Sequence, residues 1–138
     1  MALRPETRAR ARALQLLYAW DTDGRPALQS LRPGVEEITR PDPEVAGLAA
    51  ELAREVVARR EEIDASCARA TEHWRLERLA VVDRNILRIG VFELLAERVP
   101  PKVAIDEALW LAHRFGGEQS PGFVNGVLDA VARALGRL

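Results

Sequence analysis

Arginine side chains cluster near the start of the chain, where their type and spacing suit contacts with phosphate. Arg8, Arg10 and Arg12 occupy alternate positions, and the first twelve residues hold four arginines against one glutamate, which gives a local charge of +3. Guanidinium groups are planar, charged and rich in donors, so they match phosphate oxygens and the faces of bases. The alternative is a solvated helix face without a ligand, which is the usual fate of a run of charges.

An aromatic residue near the C-terminus forms the second pattern that suits a nucleic acid. Helical spacing puts Phe123 about 80 to 100° away from the apolar stripe that begins at Val124, in the first turn of its helix. An exposed ring there can stack an unpaired base, which contributes about 1 to 3 kcal/mol. Backbone N–H groups at the same helix start, after Gly116, Gly117 and Gly122, would favour a nearby phosphate. The alternative is that Phe123 closes the end of the helical bundle against a loop.

Patterns typical of catalysis or metal binding are not found in the sequence. His73 and His113 are far apart and have no Cys or His partner at the spacing of a metal site. Phe115-Gly116-Gly117 lacks the Lys-Ser/Thr ending of a phosphate-binding P-loop, and no G-x-G-x-x-G motif follows a strand. The possible nucleophiles, which have no base at a recognisable spacing, are Ser66, Cys67 and Ser120. We therefore expect neither an enzyme nor a cofactor or metal site.

Composition limits the kind of polyanion binding that is expected and indicates the cellular compartment. With 138 residues the chain is expected to form one domain, and 20 basic against 21 acidic residues give a net charge of -1. Any nucleic-acid binding must therefore come from a local patch. The single cysteine, Cys67, forms no internal disulfide, and the N-terminus has no apolar signal region. No apolar run approaches the roughly 20 residues of a membrane span, so we expect a soluble cytoplasmic protein.

The basic cluster lies on a predicted first helix. Its apolar residues recur at the spacing of one buried stripe, which consists of Ala9, Ala13, Leu16, Leu17 and Trp20. At about 100° per residue, Arg8, Arg12 and Gln15 fall beside this stripe on one flank. Arg10 and Leu14 fall on the opposite flank. We expect both flanks to reach solvent.

Helical periodicity continues after a long connection. Residues 21–41 are interrupted by Gly and Pro, and we expect at most a short helix near their middle. Asp42-Pro43-Glu44 then predicts a helix start, because Asp accepts the free backbone N–H groups and Pro presets the first helical dihedral. We expect this helix to continue to about Cys67 or Ala70. Its predicted apolar stripe comprises Leu48, Leu52, Val56 and Ile63.

The remaining sequence predicts a short element near residues 74–79 and three further helices. Asp83 is expected to cap the first of them, in which Gly90 indicates close packing between helices. Pro100-Pro101 breaks the chain before a helix from about Val103 to Phe115, and Ser120-Pro121 begins the last helix, which ends before Gly136. The expected core residues are Ile86, Leu87, Val91, Leu94 and Leu95, followed by Val124, Val127, Leu128, Val131 and Leu135. No segment alternates as a strand does, so we predict an all-α bundle.

Several ordered stretches of the chain resemble the NusB family of bacterial transcription antitermination proteins. They are Val82-Asp83-Arg84 leading into residues 86–89, then residues 101–105, Phe115-Gly116 and residues 120–129, with Arg8-Ala9-Arg10, residues 13–15 and Leu17-Tyr18 at the N-terminus. The resemblance implies an all-α fold of about seven helices in two small antiparallel bundles packed together. It implies one RNA-binding domain over residues 1–138, with an N-terminal subdomain of about 1–75 and a C-terminal subdomain of about 76–138.

The resemblance also implies partners and a set of site residues. The expected partners are a single-stranded boxA-type RNA in nascent ribosomal RNA transcripts, the ribosomal protein NusE and the RNA polymerase antitermination complex, with a homodimer possible. The implied RNA-binding residues are Arg8, Arg10, Arg12, Tyr18, Gln119, Gly122 and Phe123. The implied NusE-binding residues are Arg75, Arg78, Asp83 and Arg84. Gln119 departs from the family, since many members carry Asp there, and the missing negative charge should reduce repulsion of phosphate.

Two other classes of function stay open on the sequence. One is a helical adaptor that binds only proteins, in which the arginines are exposed to solvent and bind no ligand. The other is an RNA-binding module related to that of ribosomal RNA methyltransferases, because NusB-like domains also occur fused to such enzymes. Binding of a partner without binding of RNA would select the adaptor.

Overall fold

The computed structural model describes residues 3–24, 42–71 and 76–138, which contain six α-helices and one short 3-10 helix. The α-helices are α1 (Pro5–Thr22), α2 (Pro43–Ala58), α3 (Arg60–Ala70), α4 (Val81–Ala96), α5 (Pro101–Phe115) and α6 (Ser120–Ala134), and the 3-10 helix is Leu76–Arg78. None of the described residues lies in a strand. The predicted all-α class is therefore confirmed.

By its internal contacts the chain divides into two compact units, Met1–Ala58 and Arg59–Leu138. The predicted subdomain boundary near residue 75 falls among residues 72–75, outside the described part, and stays a prediction. The short helix expected within residues 21–41 also falls mostly outside the described residues. None of the described helices is long and apolar enough to cross a membrane.

The first unit is built on α1 and α2, which pack against each other. The predicted α1 stripe is confirmed, because its five residues are at most 4% exposed. Helix α2 begins as expected, since the Asp42 Oδ1 atom accepts a hydrogen bond of 3.0 Å from the Glu44 backbone N–H. Its buried face is Val45, Ala49, Ala53 and Val56. The prediction of Leu48 as a core residue is wrong, since it is 38% exposed and points away from that face.

The long helix predicted from residue 43 to about residue 70 is in fact two helices. Helix α2 ends at Ala58, and Arg59, with φ -106° and ψ 17°, separates it from α3. The Arg59 side chain donates two hydrogen bonds of 3.0 Å to the Glu62 carboxylate in the first turn of α3. Ile63 and Cys67 keep the apolar register on α3. A break of one residue barely shifts the periodicity, so the sequence pattern passes through it.

The second unit is organised around α4, which contacts α3, α5 and α6. Every α4 residue from Asn85 to Leu94 is buried, so the helix has no solvated face in its centre. The close approach predicted at Gly90 is confirmed, because a Cβ there would lie 2.7 Å from the Leu128 Cδ1 atom of α6. On α6, Val124, Val127, Leu128 and Val131 are buried as predicted, whereas Leu135, just after the end of α6, is half-buried.

A charged side chain lies at the centre of this second unit. Arg88 on α4 is 1% exposed, and its guanidinium donates to both carboxylate oxygens of Asp64 on α3, at 3.0 and 3.2 Å. Its Nη1 atom also donates to the Asn85 Oδ1 atom at 3.0 Å, and Asn85 donates to the Val81 carbonyl at 2.9 Å. These bonds join α3 to α4 and compensate the burial of the charge.

Candidate functional site

The arginines of α1 lie in two different environments. Arg8 is part-exposed, and its Nη1 atom is 3.4 Å from the Asp42 Oδ2 atom at the start of α2. Arg10 and Arg12 are only 7% and 3% exposed. The prediction that both flanks of α1 reach solvent is therefore wrong for these two residues. Position on a helical wheel shows which side a residue takes, but not how far the surrounding chain covers that side.

Two buried polar atoms on α1 lack the hydrogen bonds that usually offset the cost of burial. The Arg12 Nη1 and Gln15 Oε1 atoms are buried, and neither has a hydrogen-bond partner among the described residues. An unsatisfied buried polar group costs roughly 1 to 3 kcal/mol, so these atoms are unlike an ordinary solvated charge run. Among the residues proposed to meet RNA, Arg8 and Tyr18 keep accessible side chains on α1, and Tyr18 is 45% exposed.

A tight corner joins α5 to α6 and fixes the start of α6. A Cβ at Gly116 would lie 2.6 Å from the Ser120 Cβ and 2.8 Å from the Ala112 carbonyl oxygen, so only glycine fits without a shift. The Ser120 hydroxyl accepts a hydrogen bond of 2.9 Å from the Gly117 N–H. It donates one of 2.7 Å to the Asp83 Oδ1 atom on α4. One buried serine thus ties the beginning of α6 to the beginning of α4.

Asp83 does not cap α4 as expected. The N-cap position is Ala80, and Asp83 lies one turn inside the helix. A carboxylate in the first turn still interacts favourably with the positive end of the helix dipole. Its Oδ1 atom instead accepts a hydrogen bond from Ser120, a residue 37 positions away in sequence, and local patterns do not reveal such a partner.

An open groove lies beside this corner, with a volume of about 830 Å³. We name it the α5–α6 groove; it is lined by Leu79, Ala80, Val82, Asp83, Phe115, Gly116, Gly117, Glu118, Gln119, Ser120, Gly122 and Phe123. Phe123 is half-buried and Phe115 is 39% exposed. The groove brings together Gln119, Gly122 and Phe123, predicted to bind RNA, with Asp83, predicted to bind the protein partner.

The electrostatics of the α5–α6 groove differ from those of a phosphate site. Among the described residues that line it, the charged ones are Asp83 and Glu118, and none is basic. Gly122 and Gln119 are exposed at the start of α6. The helix dipole favours an anion there, but two nearby carboxylates oppose it.

The other predicted partner-binding residues lie just before and within the start of α4. Arg78 is exposed on the 3-10 helix, and Arg84 is half-buried, with its Nη1 atom 3.5 Å from the Glu77 carbonyl oxygen. Arg75 lies outside the described residues, as does His73. His113 is exposed on α5. In the described ranges, no three His, Cys, Asp or Glu side chains are grouped so that they could hold a metal ion.

Sequence reasoning missed Phe115 as a site residue and Ser120 as the link that holds the corner. The sequence predicts Phe115 only as the end of α5, yet its ring lines the α5–α6 groove and meets Trp110 edge-on, with centroids 6.2 Å apart and planes at 77°. The available signal was the glycine pair that follows Phe115, since a helix that ends at a large aromatic before glycines leaves that ring near the surface.

The thiol of Cys67 should be inert in the folded protein. Cys67 is 2% exposed, and burial, with Asp64 nearby, raises the pKa of its thiol to about 12. Because the thiolate is the reactive form, we expect almost no reaction with Ellman's reagent at pH 8 in the absence of denaturant. Full reaction in urea would show that burial is the cause.

The matched control for this thiol is a cysteine one position further along α3. Ala68 is exposed, so a Cys67→Ala, Ala68→Cys variant should react rapidly while folded. Rapid reaction of the native Cys67 thiol would contradict the burial described above.

The raised pKa also predicts that the stabilising contribution of the protonated thiol is present below about pH 9 and is lost as the pH rises towards 12.

Comparison with known proteins gives one family. The NusB family model matches residues 7–133. The transcription antitermination protein NusB of Anaeromyxobacter dehalogenans is 46% identical over 132 residues, which cover 94% of this chain and 91% of the relative. The solved structure of T. maritima NusB has a TM-score of 0.80 at 33% identity, with 96% of this chain and 93% of that chain covered. A crystal structure of antitermination factors NusB and NusE in complex with dsRNA has a TM-score of 0.82 at 30% identity, with 96% and 99% covered. The chain belongs to the NusB family.

Proposed function

We propose that this protein is a transcription antitermination factor that binds boxA-type RNA in nascent ribosomal RNA transcripts together with the ribosomal protein NusE. The observation that carries the proposal is the match, over nearly the whole chain, to a NusB structure solved with NusE and RNA. The relatives that bear the antitermination name are similar over the same length. The mechanism is assembly: the protein joins RNA and NusE to the RNA polymerase antitermination complex, and no bond is made or broken.

Within this proposal, RNA contacts come from the accessible residues. Arg8 supplies a guanidinium on α1, Tyr18 supplies an aromatic ring three turns further along, and Phe123 supplies a second ring in the α5–α6 groove. The burial of Arg10 and Arg12 gives them a different role from the one that their sequence position suggests. We infer that they hold α1 in place, and that they affect RNA binding only through the position of Arg8.

NusE binding is proposed for the start of α4, where Arg78, Asp83 and Arg84 lie. These residues combine two positive charges with a carboxylate that is fixed by its bond to Ser120. Arg75 belongs to the same proposed surface on sequence grounds. We also infer that the protein works in the cytoplasm and is not an enzyme, in keeping with relatives that are named as antitermination proteins.

The test of the proposal is fluorescence anisotropy with a boxA-type single-stranded RNA and a scrambled RNA, with and without NusE, across a series of salt concentrations. We expect selective binding that tightens with NusE. Phe123→Ala should weaken binding by about 1 to 3 kcal/mol, because a stacking surface is lost. Arg8→Ala should weaken binding and reduce the log-log salt slope by about 0.7, which is the value for one phosphate contact on a single strand.

The control for Arg8→Ala is Arg54→Ala, which removes the same charge from an exposed position of α2 in the same unit. It should leave the affinity and the salt slope unchanged. Equal effects of the two substitutions would reduce the role of Arg8 to general charge. Equal, weak binding of both RNAs by the unaltered protein, with no effect of NusE, would overturn the proposed function.

Gln119 provides a charge test at the start of α6. Gln119→Asp would add a third carboxylate to the α5–α6 groove beside Asp83 and Glu118. We expect weaker RNA binding, most clearly at low salt, because screening hides the added repulsion at high salt. Gln119→Asn matches the Asp variant in size but carries no charge, and it should bind RNA like the native protein. An affinity of Gln119→Asp that equals the native value across the salt series would remove Gln119 from the interface.

A helical adaptor that binds only protein is the second candidate function. Two observations favour it, namely the burial of Arg10 and Arg12 and the absence of a basic residue among the described lining of the α5–α6 groove. The same titrations separate the two functions. NusE binding without any RNA binding would select the adaptor.

A further inference from the structure

An ion pair within the first unit joins α1 to the residue that precedes α2. The Arg8 Nη1 atom is 3.4 Å from the Asp42 Oδ2 atom, and the two side chains are 29% and 35% exposed. This distance is longer than the roughly 2.7 to 2.9 Å of a strong charge-assisted hydrogen bond. Because the contact is long and both side chains reach solvent, an anion from solution can compete with Asp42 for the Arg8 guanidinium.

Asp42 has a second bond that fixes it in place. Its Oδ1 atom accepts a hydrogen bond of 3.0 Å from the Glu44 backbone N–H, which caps the start of α2. Pro43 restricts the backbone between them, and the positive end of the α2 dipole also stabilises a carboxylate at this position. Asp42 therefore keeps its own stabilising partners when Arg8 leaves, and it cannot follow the Arg8 side chain without losing the cap.

The other two arginines of the predicted α1 cluster are covered, so the contact with Asp42 affects the accessible one. Arg10 and Arg12 are only 7% and 3% exposed. A phosphate bound to Arg8 would lie within a few ångströms of the Asp42 carboxylate, and two like charges at such a distance repel appreciably even in water. Asp42 thus opposes a phosphate at Arg8 in two ways, by occupying the guanidinium and by repelling the phosphate charge.

From these contacts we propose that Asp42 is a competing carboxylate, which holds Arg8 in the free protein and lowers the affinity for RNA. On binding, Arg8 exchanges the Asp42 Oδ2 atom for a phosphate oxygen, while the Oδ1 atom stays on the α2 cap. No covalent bond changes. The inference rests on the proposed function, because it concerns the phosphate contact proposed for Arg8, and it adds a residue that limits the strength of this contact.

The test is the affinity of Asp42→Asn for the boxA-type RNA, measured by fluorescence anisotropy with NusE present. Asparagine removes the charge but keeps a side-chain oxygen that can cap α2. We expect binding about two- to five-fold tighter than that of the native protein at low salt, which is roughly the effect of one unit charge beside a phosphate in water. The gain should shrink at high salt, because screening weakens the repulsion.

Thermal unfolding shows whether the cap survives the substitution. Asp42→Ser supplies a second variant, since serine is also a good N-cap residue and carries no charge. We expect both variants to unfold near the native temperature and to show the same gain in RNA affinity. A gain that one variant lacks would attribute the effect to the new side chain and overturn the inference.

A double-mutant cycle separates competition for Arg8 from a general effect of charge. In an Arg8→Ala background no guanidinium at position 8 holds a phosphate beside residue 42, so Asp42→Asn should leave the affinity of that variant unchanged. The matched control is Glu51→Gln, which removes the same charge from an exposed position of α2. It should leave the affinity of the native protein unchanged.

The outcomes separate this inference from the proposed function. Unchanged or weaker RNA binding by a folded Asp42→Asn variant would overturn the inference, and weaker binding would show that Asp42 orients Arg8 instead. Equal gains for Glu51→Gln and Asp42→Asn, or equal gains with and without Arg8, would overturn it in favour of general charge. In all these cases selective binding of boxA-type RNA by the native protein leaves the proposed function standing. Failure of the native protein to bind this RNA selectively would overturn both.

Discussion

Replacement of Asp64 by alanine should lower the free energy of unfolding by about 3 to 5 kcal/mol, because it strands a buried charge. The Arg88 guanidinium is 1% exposed and donates hydrogen bonds to both carboxylate oxygens of Asp64, at 3.0 and 3.2 Å. The substitution removes both of these hydrogen bonds, while the bond of 3.0 Å from Nη1 to the Asn85 Oδ1 atom on α4 stays. Solvation by water is restricted at that depth, so the loss is much larger than for a surface pair.

Urea unfolding followed by circular dichroism measures this effect, and the chain offers a matched control. Asp129 and Arg133 form an ion pair of 2.9 Å on α6, with side chains 44% and 67% exposed. Asp129→Ala should therefore cost at most about 0.5 kcal/mol. Adding Arg88→Met to Asp64→Ala should recover part of the lost stability, because an apolar side chain of similar length needs no carboxylate. Equal, small costs for Asp64→Ala and Asp129→Ala would show that Arg88 is compensated in another way.

The parts of the fold that the sequence predicts are those that depend on neighbours along one helix. Stripes such as Ala9 to Trp20, and the cap at Asp42, involve residues within a few turns, so their spacing is visible in the chain. The bond between Ser120 and Asp83 joins residues 37 positions apart, and that between Arg88 and Asp64 joins residues 24 apart. No local pattern encodes such pairs.

The residues of the candidate site also differ in how far the sequence predicts their surroundings. Phe123 is found from the sequence because its angle departs from the α6 stripe, and the structure places it half-buried in the α5–α6 groove. Arg10 and Arg12 are misjudged because arginine is rarely buried, so a helical flank with arginine is read as solvated. The acidity of the groove also escapes the sequence, since Asp83 comes from α4 and Glu118 from the corner after α5.

The corner itself gives the second large effect. Gly116→Ala should destabilise the protein by about 2 to 4 kcal/mol, because the new methyl group overpacks the corner and breaks a buried hydrogen-bond network. The added Cβ would lie 2.6 Å from the Ser120 Cβ and 2.8 Å from the Ala112 carbonyl oxygen, and neither atom belongs to a flexible side-chain end. Relief requires Ser120 to move, which breaks its 2.7 Å bond to Asp83.

Gly117→Ala tests whether this cost comes from crowding or from the loss of glycine as such. The Cβ at Gly117 would meet only the Ser120 Oγ atom, at 3.9 Å, which is an ordinary contact. The two glycines are adjacent and neither has a positive φ, so backbone preference affects them little and the difference isolates the clash. We expect thermal unfolding to show a marked loss of stability for Gly116→Ala and little loss for Gly117→Ala.

Since Ser120 holds the groove, Gly116→Ala should also weaken RNA binding at temperatures where the variant is still folded. Equal losses of stability at both positions would instead attribute the need for glycine to the backbone, and retained RNA binding would show that the groove does not depend on the bond between Ser120 and Asp83.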